Sequence, residues 1–233
     1  MQVFGFPSAV FGTNCYVVAP AAGQECVVID PGIEVVDSLA EVLRRHRLEP
    51  AAVLLTHGHL DHTYSVTPVC GAHGVAAYIH PDDRYRLRDP LTQVSPQVVS
   101  MLEQQFGRAA SWVEPDDVLE LTDGATLRIA GLEFDVLHAP GHTEGSVMFE
   151  LAGVPDGTRE EATRTLLSGD VLFEGSIGRT DLPGGDHGAM LRTLSEQVLG
   201  RGDDTVVLPG HGPRTTIGRE RARNPFLREL QAS

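Results

Sequence analysis

At 233 residues with a formal net charge of −14, the chain has the wrong sign for a nucleic-acid or anionic-membrane surface, because phosphate binding depends on clustered Lys and Arg. Hydrophobic residues make up 41% and aromatic residues 6%, which suits a sizeable, mainly aliphatic core in one large α/β domain or two small ones, and a single domain over residues 1–233 is the reading adopted. No apolar run reaches transmembrane length and the N-terminus lacks the basic and apolar regions of a signal peptide, so a soluble cytoplasmic protein is expected.

The opening third predicts strands at Gln2–Phe6, Thr13–Ala19 and Glu25–Asp30, separated by turn residues such as Pro7, Gly12 and Gly23. Asp30-Pro31-Gly32 breaks the third strand, and Val35, Val36, Leu39 and Leu43 then follow a helical period to about His46. A strand over Ala51–Thr56 is followed by a short helix at Tyr64–Gly74 and a strand at Val75–Ile79. HPDDRYRLRD, with Pro81 in its first turn, and Ser95–Phe106 predict two helical pieces, which read equally as a wall over a site or as a solvated connector. Strands return at Ala125–Ile129, Leu132–Leu137, Ser146–Leu151, Thr165–Ser168 and Thr205–Leu208. Gly188–Leu199 and Ile217–Arg223 are helical in period. Two runs of strands, each interleaved with helices, predict two similar halves packed sheet to sheet with helices outside. Cys15, Cys26 and Cys70 show no CxxC or CxxxC spacing and read as buried or incidental thiols.

The stretch AAVLLTHGHLDH, Ala51 to His62, carries the chemistry. Past the strand end the chain is still extended, so His57 and His59, two apart, can point the same way. Asp61 and His62 follow a further bend, where the next helix begins, and can approach from another side. A chain of this composition produces HxHxDH by chance only about once in a thousand, so the motif is a strong signal. Three more stretches repeat one design, an apolar strand, a sharp turn and a metal-type side chain: VLHAPGHTEGS delivers His142, TLLSGDVLF delivers Asp170 and VVLPGHGP delivers His211. A divalent ion of zinc type takes neutral imidazole nitrogens and carboxylate oxygens. We assign His57, His59 and His142 to one metal and Asp61, His62 and His211 to a second, with Asp170 bridging. Zinc is expected, and iron and manganese suit the same donors. Weaker candidates for supporting or substrate roles are His80, His138, His187, Asp181, Tyr64 and Thr143.

The set THGHLDH, PGHTEGS, SGDVLF and PGHGP resembles the metallo-β-lactamase superfamily over nearly the whole chain, and SIGRTDLPGGD and NPF resemble the small bacterial members of its glyoxalase II (hydroxyacylglutathione hydrolase) group. The resemblance implies an α/β fold, the αββα four-layer sandwich, with a binuclear centre at one edge of the two sheets. It also implies cleavage of a 2-hydroxyacyl thioester such as S-lactoylglutathione by a metal-activated water, with Asp61 and Asp170 as catalytic carboxylates. Arg179 in SIGRTD matches a basic residue that holds the thiol carrier. Larger glyoxalase II enzymes carry a C-terminal helical domain with further glutathione contacts, whereas this sequence ends soon after NPF, so the thiol carrier stays open. The alternative on the same scaffold is a mononuclear Fe(II) persulfide dioxygenase with His57, His142 and Asp170 as its 2-His-1-carboxylate face. A nuclease is disfavoured by the charge, and a secreted β-lactamase by the missing signal peptide and by Asp170, where zinc lactamases commonly carry Cys. No oligomeric state is legible.

Overall fold

The structure, a computed structural model, describes residues 1–91, 94, 97, 99–101, 104, 113–158 and 162–232. The second helical piece expected over Ser95–Phe106 lies largely outside the described residues. Six strands stand side by side in chain order in the first sheet: β1 (Gln2–Pro7), β2 (Asn14–Ala19), β3 (Glu25–Ile29), β4 (Glu49–Leu54), β5 (Ala77–Ile79) and β6 (Val118–Glu120). β1, β2 and β3 pair antiparallel, and β3 to β6 run parallel. β7 (Thr126–Ile129), β8 (Leu132–His138), β9 (Val147–Ala152) and β10 (Arg164–Gly169) follow. After a small hairpin of β11 (Leu172–Phe173) and β12 (Ser176–Ile177), β13 (Thr205–Pro209) and β14 (Thr215–Thr216) complete a second sheet ordered β7-β8-β9-β10-β13-β14.

Side-chain alternation in the strands decides how the layers stack. On β2, Tyr16 and Val18 face the second sheet, where they meet Phe134, Val136, Phe149, Leu167, Val206 and Leu208 in one buried cluster. Cys15, Val17 and Ala19 face the other way, against Leu39 and Leu43 of helix α1 (Val36–His46) and Val66, Val69 and Cys70 of α3 (Val66–His73), which follows the single turn α2 (Leu60–Thr63). The three cysteines are free and buried. On the far side Met148, Leu166 and Val207 pack beneath Met190 of α5 (His187–Thr193), Leu194 and Val198 of the π-helical turn that continues it, Ile217 of α6 (Ile217–Arg223) and Leu227 of α7 (Pro225–Ala232). A 3-10 turn (Pro81–Asp83) and α4 (Arg84–Arg88) fill the remaining corner. The chain is thus a four-layer αββα arrangement. Burying each of the core phenylalanines contributes about 2–3 kcal/mol.

Some elements differ from the sequence expectations. β4 starts at Glu49 and ends at Leu54, two residues before Thr56, because its parallel pairing with β3 stops there. The stretch after β4 breaks into α2 and α3 rather than one helix from Tyr64. β6, the β11–β12 hairpin, β14 and α7 carry too few periodic residues to be seen in the sequence alone. Among the described residues no helix is long and apolar enough to cross a membrane.

Candidate metal centre

One edge of the sandwich collects the chemistry. β3 and β4 run parallel, as do β10 and β13, and β8 points the same way as β10 because both pair antiparallel with β9. The segments leaving β4, β8, β10 and β13 therefore emerge together, and they carry His57, His142, Asp170 and His211. Backbone hydrogen bonds join the two sheets at this edge: Val147 N donates to Thr56 O (2.8 Å) and Asn14 N to Gly210 O (2.7 Å). Gly169 sits at a left-handed φ of 49°, and a Cβ there would lie 2.6 Å from the Thr56 Cβ, so only glycine lets β10 end against β4.

All seven predicted donors converge. His57, His59 and His142 form one group and Asp61, His62 and His211 another, each with one donor atom apiece within 4.8 Å of the others. Asp170 lies between them, with Oδ1 3.4 Å from His62 Nε2 and Oδ2 3.5 Å from both His142 Nε2 and His211 Nε2. His59 Nδ1 comes within 2.8 Å of His142 Nε2, and His211 Nε2 within 3.3 Å of Asp61 Oδ2.

Hydrogen bonding on the outer sides of the rings sets their tautomers. His62 Nδ1 is 2.9 Å from Asp30 Oδ2, His142 Nδ1 is 2.8 Å from the Arg179 carbonyl and His211 Nδ1 is 3.2 Å from the Phe11 carbonyl. These partners only accept, so each Nδ1 keeps a proton, and in the neutral ring Nε2 turns a lone pair inward. His57 follows by one further step. The Thr56 hydroxyl gives its single hydrogen to Asp30 Oδ2 (2.6 Å), so it can only accept from His57 Nδ1 at 3.1 Å. His57 Nε2 is thereby buried with no hydrogen-bond partner, and Asp170 Oδ1 is likewise buried without one. Stranding such atoms costs about 1–3 kcal/mol each, and a cation seated among them removes that cost. The donor set fits a divalent metal.

Charge divides the centre. Burial, and then the neighbouring His62, His142 and His59 rings, push His57 well below its ordinary value. Burial and the His142 ring likewise take His59 down to about 3. For His62 burial acts in the same direction, but the Asp170, Asp61 and Asp30 carboxylates outweigh it and raise its pKa well above the ordinary value. His211 is raised too: burial is overcome by the hydrogen bond that its ring donates to Asp61 and by the charge of Asp170. Burial opposes ionisation of Asp61 and Asp170, yet both are lowered by the surrounding imidazoles, His62 foremost.

The other predicted residues take varied places. The Arg179 side chain is exposed and forms a two-pronged pair with Asp181 at 2.8 Å, while its carbonyl supports His142. Asp181, expected to orient a ligand, touches none of the seven donors in these contacts. His187 opens α5, whose N-cap is Asp186. Thr143 is buried and donates to Asp83 Oδ2 (2.7 Å). Tyr64 ends α2 and packs with Ile33 and Leu60. His80 and His138 form a separate group with Asp82. Their rings stack at 4.2 Å, only 6° from parallel, so their in-plane lone pairs cannot meet on one ion. Sequence reasoning missed Asp30, Thr13, Asp83 and Arg86. Thr13 donates to Asp61 Oδ2 (2.7 Å), and Asp30 and Asp83 are buried at 2% and 0% exposure. The strand-ending Asp-Pro-Gly was the available signal for Asp30.

The model of the metallo-beta-lactamase superfamily matches residues 9–211. The chain belongs to the metallo-β-lactamase superfamily. Among its relatives, the hydroxyacylglutathione hydrolase GloC of Haemophilus influenzae is 31% identical over 97% of this chain and 98% of its own length. Two solved structures are also similar to this member of the superfamily. The BLEG-1 B3 metallo-beta-lactamase is 36% identical with a TM-score of 0.78, covering 97% of this chain and 99% of that one. A di-iron-bound form of TTHA1623 is 36% identical with a TM-score of 0.74, covering 96% and 100%. Superfamily membership makes the chain a metallo-hydrolase-type protein with a metal-binding His/Asp cluster.

Proposed function

We propose that the protein is a binuclear hydrolase of small 2-hydroxyacyl thioesters, of the S-lactoylglutathione type, releasing a hydroxy acid and a free thiol. The observation that carries the reading is the pair of three-donor groups joined by Asp170, its inward nitrogens held bare by acceptor-only partners. Similarity to the Haemophilus influenzae hydroxyacylglutathione hydrolase supports the substrate class. His57, His59 and His142 would hold one ion and Asp61, His62 and His211 the other, with Asp170 reaching both. Zinc is the proposed metal, and similarity to the di-iron form of TTHA1623 keeps iron in the comparison. When bound, the ions supply a nucleophile at neutral pH and polarise the thioester carbonyl.

The chain's own residues do the rest. Asp61 and Asp170 stay ionised, and Asp30 keeps the Nδ1 proton of His62 on the outer side of the ring. The thiolate that leaves is a weak base, so no side chain is required as its acid. Arg179, exposed beside His142, offers a guanidinium to a carboxylate of the thiol carrier once it leaves Asp181. The substrate is a small molecule, and the net charge of −14 favours neither nucleic acid nor an anionic membrane as partner. A one-ion dioxygenase would use only His57, His142 and Asp170. The second three-donor group, Asp61, His62 and His211, supports two ions instead.

The deciding experiment loads the purified chain with zinc, iron or manganese, measures metal per chain, and assays thiol release from S-lactoylglutathione. Oxygen uptake with glutathione persulfide and opening of a chromogenic cephalosporin run in parallel, the latter because of the likeness to a B3 lactamase. Thiol release with two ions per chain is expected. Absence of thioester cleavage with every metal, together with oxygen uptake or β-lactam opening, overturns the proposal.

A further inference from the structure

Beside the centre lies a buried ion pair that the proposed reaction does not use. Asp83 is fully buried and Arg86 is 1% exposed, and Arg86 Nε donates to Asp83 Oδ1 at 3.3 Å. Sequestering such a pair costs desolvation that its mutual attraction repays only with excellent geometry, so it is weak support for stability and invites a geometric role. Every acceptor position of the carboxylate is used. Oδ2 accepts from Gly58 N and Thr143 Oγ1, both at 2.7 Å, while Oδ1 accepts from Gly145 N at 3.1 Å as well as from Arg86.

These partners are all on one side of the centre. Gly58 stands between His57 and His59, and Thr143 directly follows His142, so a single carboxylate grips both segments that deliver the first three-donor group. Arg86 completes the grip: its Nη2 donates to Glu144 Oε2 (2.7 Å) and to the Pro183 carbonyl (3.1 Å), fastening the loop whose Arg179 carbonyl holds the His142 ring. The packing leaves no slack, since a Cβ on Gly58 would lie 2.6 Å from Arg86 Cδ. The second group hangs on other supports: Asp61 on Thr13, His62 on Asp30 and His211 on the Phe11 carbonyl.

We propose that the Asp83–Arg86 pair is a one-sided strut, positioning His57, His59 and His142 as a unit while leaving Asp61, His62 and His211 to separate supports. The inference rests on the reading of the two groups as ion sites, but not on the identity of the substrate. Loosening the strut should weaken one ion and spare its neighbour.

The test titrates the metal-depleted full chain with cobalt(II), reading bound equivalents and visible absorption together, with circular dichroism as a check on folding. Wild type is expected to take up two equivalents. In Asp83→Asn one equivalent binds about 10–100-fold more weakly and the other is unchanged. Arg86→Lys, which keeps the charge but loses the fork, shows the same selective loss to a smaller degree. Thr143→Val behaves like Asp83→Asn, and Thr143→Ser, which restores the hydroxyl, titrates like wild type. This second pair carries the test if Asp83→Asn does not fold. Adding His59→Ala to Asp83→Asn weakens the same equivalent further and spares the other, whereas adding His211→Ala weakens the other equivalent as well. Two wild-type equivalents with unchanged titrations of Asp83→Asn and Thr143→Val overturn the strut alone, as does equal weakening of both equivalents in a folded variant. A wild-type chain taking up fewer than two equivalents overturns the two-ion reading and the strut with it.

Discussion

The two halves of the centre are built from similar donors but held by different physics. The His57, His59 and His142 half contains imidazoles alone, gathered by one buried carboxylate that spans two loops. The Asp61, His62 and His211 half mixes a carboxylate with imidazoles and is supported from two other places: Thr13 and the Phe11 carbonyl in the β1–β2 connection, and Asp30 at the end of β3. One half is therefore short of negative charge and favours neutral rings, while the other carries enough carboxylate to protonate its rings when no metal is present. Similar ligands need not mean similar sites, because the groups behind them set both their orientation and their proton affinity.

The largest expected effect removes what the halves share. Asp170→Asn should abolish turnover and reduce bound metal while circular dichroism stays that of the folded chain; normal turnover would show that the two halves do not need their bridge. Gly210→Ala follows, since a Cβ there would lie 2.1 Å from Asp170 Oδ1 and 2.8 Å from His62 Cε1. Displacing Asp170 by even 1 Å is expected to cost on the order of 100-fold in kcat/KM, measured on the same thioester. Asp30→Asn should weaken both ions about 10–100-fold, because Asp30 supports His62 directly and His57 through Thr56. Equal loss at both sites in Asp30→Asn, set against one-sided loss in Asp83→Asn, would sharpen the contrast more than either alone.

Acid offers a gentler way to separate the halves. His62 and His211 have raised pKa values, so below those values each carries a proton that an incoming metal must displace. Affinity at that half should therefore rise with pH through the neutral range and fall on acidification. His57 and His59 are lowered, His59 to about 3, so their half has little proton to lose. On lowering the pH from about 7.5 to about 5.5, the ion held by Asp61, His62 and His211 should leave first, observable as stepwise release in a cobalt-loaded sample. Simultaneous release would break the distinction. The smallest effect is expected outside both halves: Arg179→Ala should raise KM for a glutathione thioester several-fold with kcat nearly unchanged, the signature of lost uniform binding. An unchanged KM would remove Arg179 from substrate recognition.

What the sequence by itself determined was the local chemistry: the seven candidate donors that the fold brings together, the turns that present them and the alternating strands that form the two sheets. HGHLDH places its donors within six residues, so their relation follows from backbone geometry alone, and each Pro-Gly or Gly turn at a strand end announces the side chain after it. Only the tertiary structure decided what stands behind the donors. Asp30 reads along the chain as a strand breaker, and Asp83 and Arg86 read as polar residues of a short helical segment. Beyond their own pairing, their roles arise from partners 25 to 97 positions away in sequence. A carboxylate acquires such a role through the donors packed around it in three dimensions, and no periodicity or spacing encodes which backbone amides those will be.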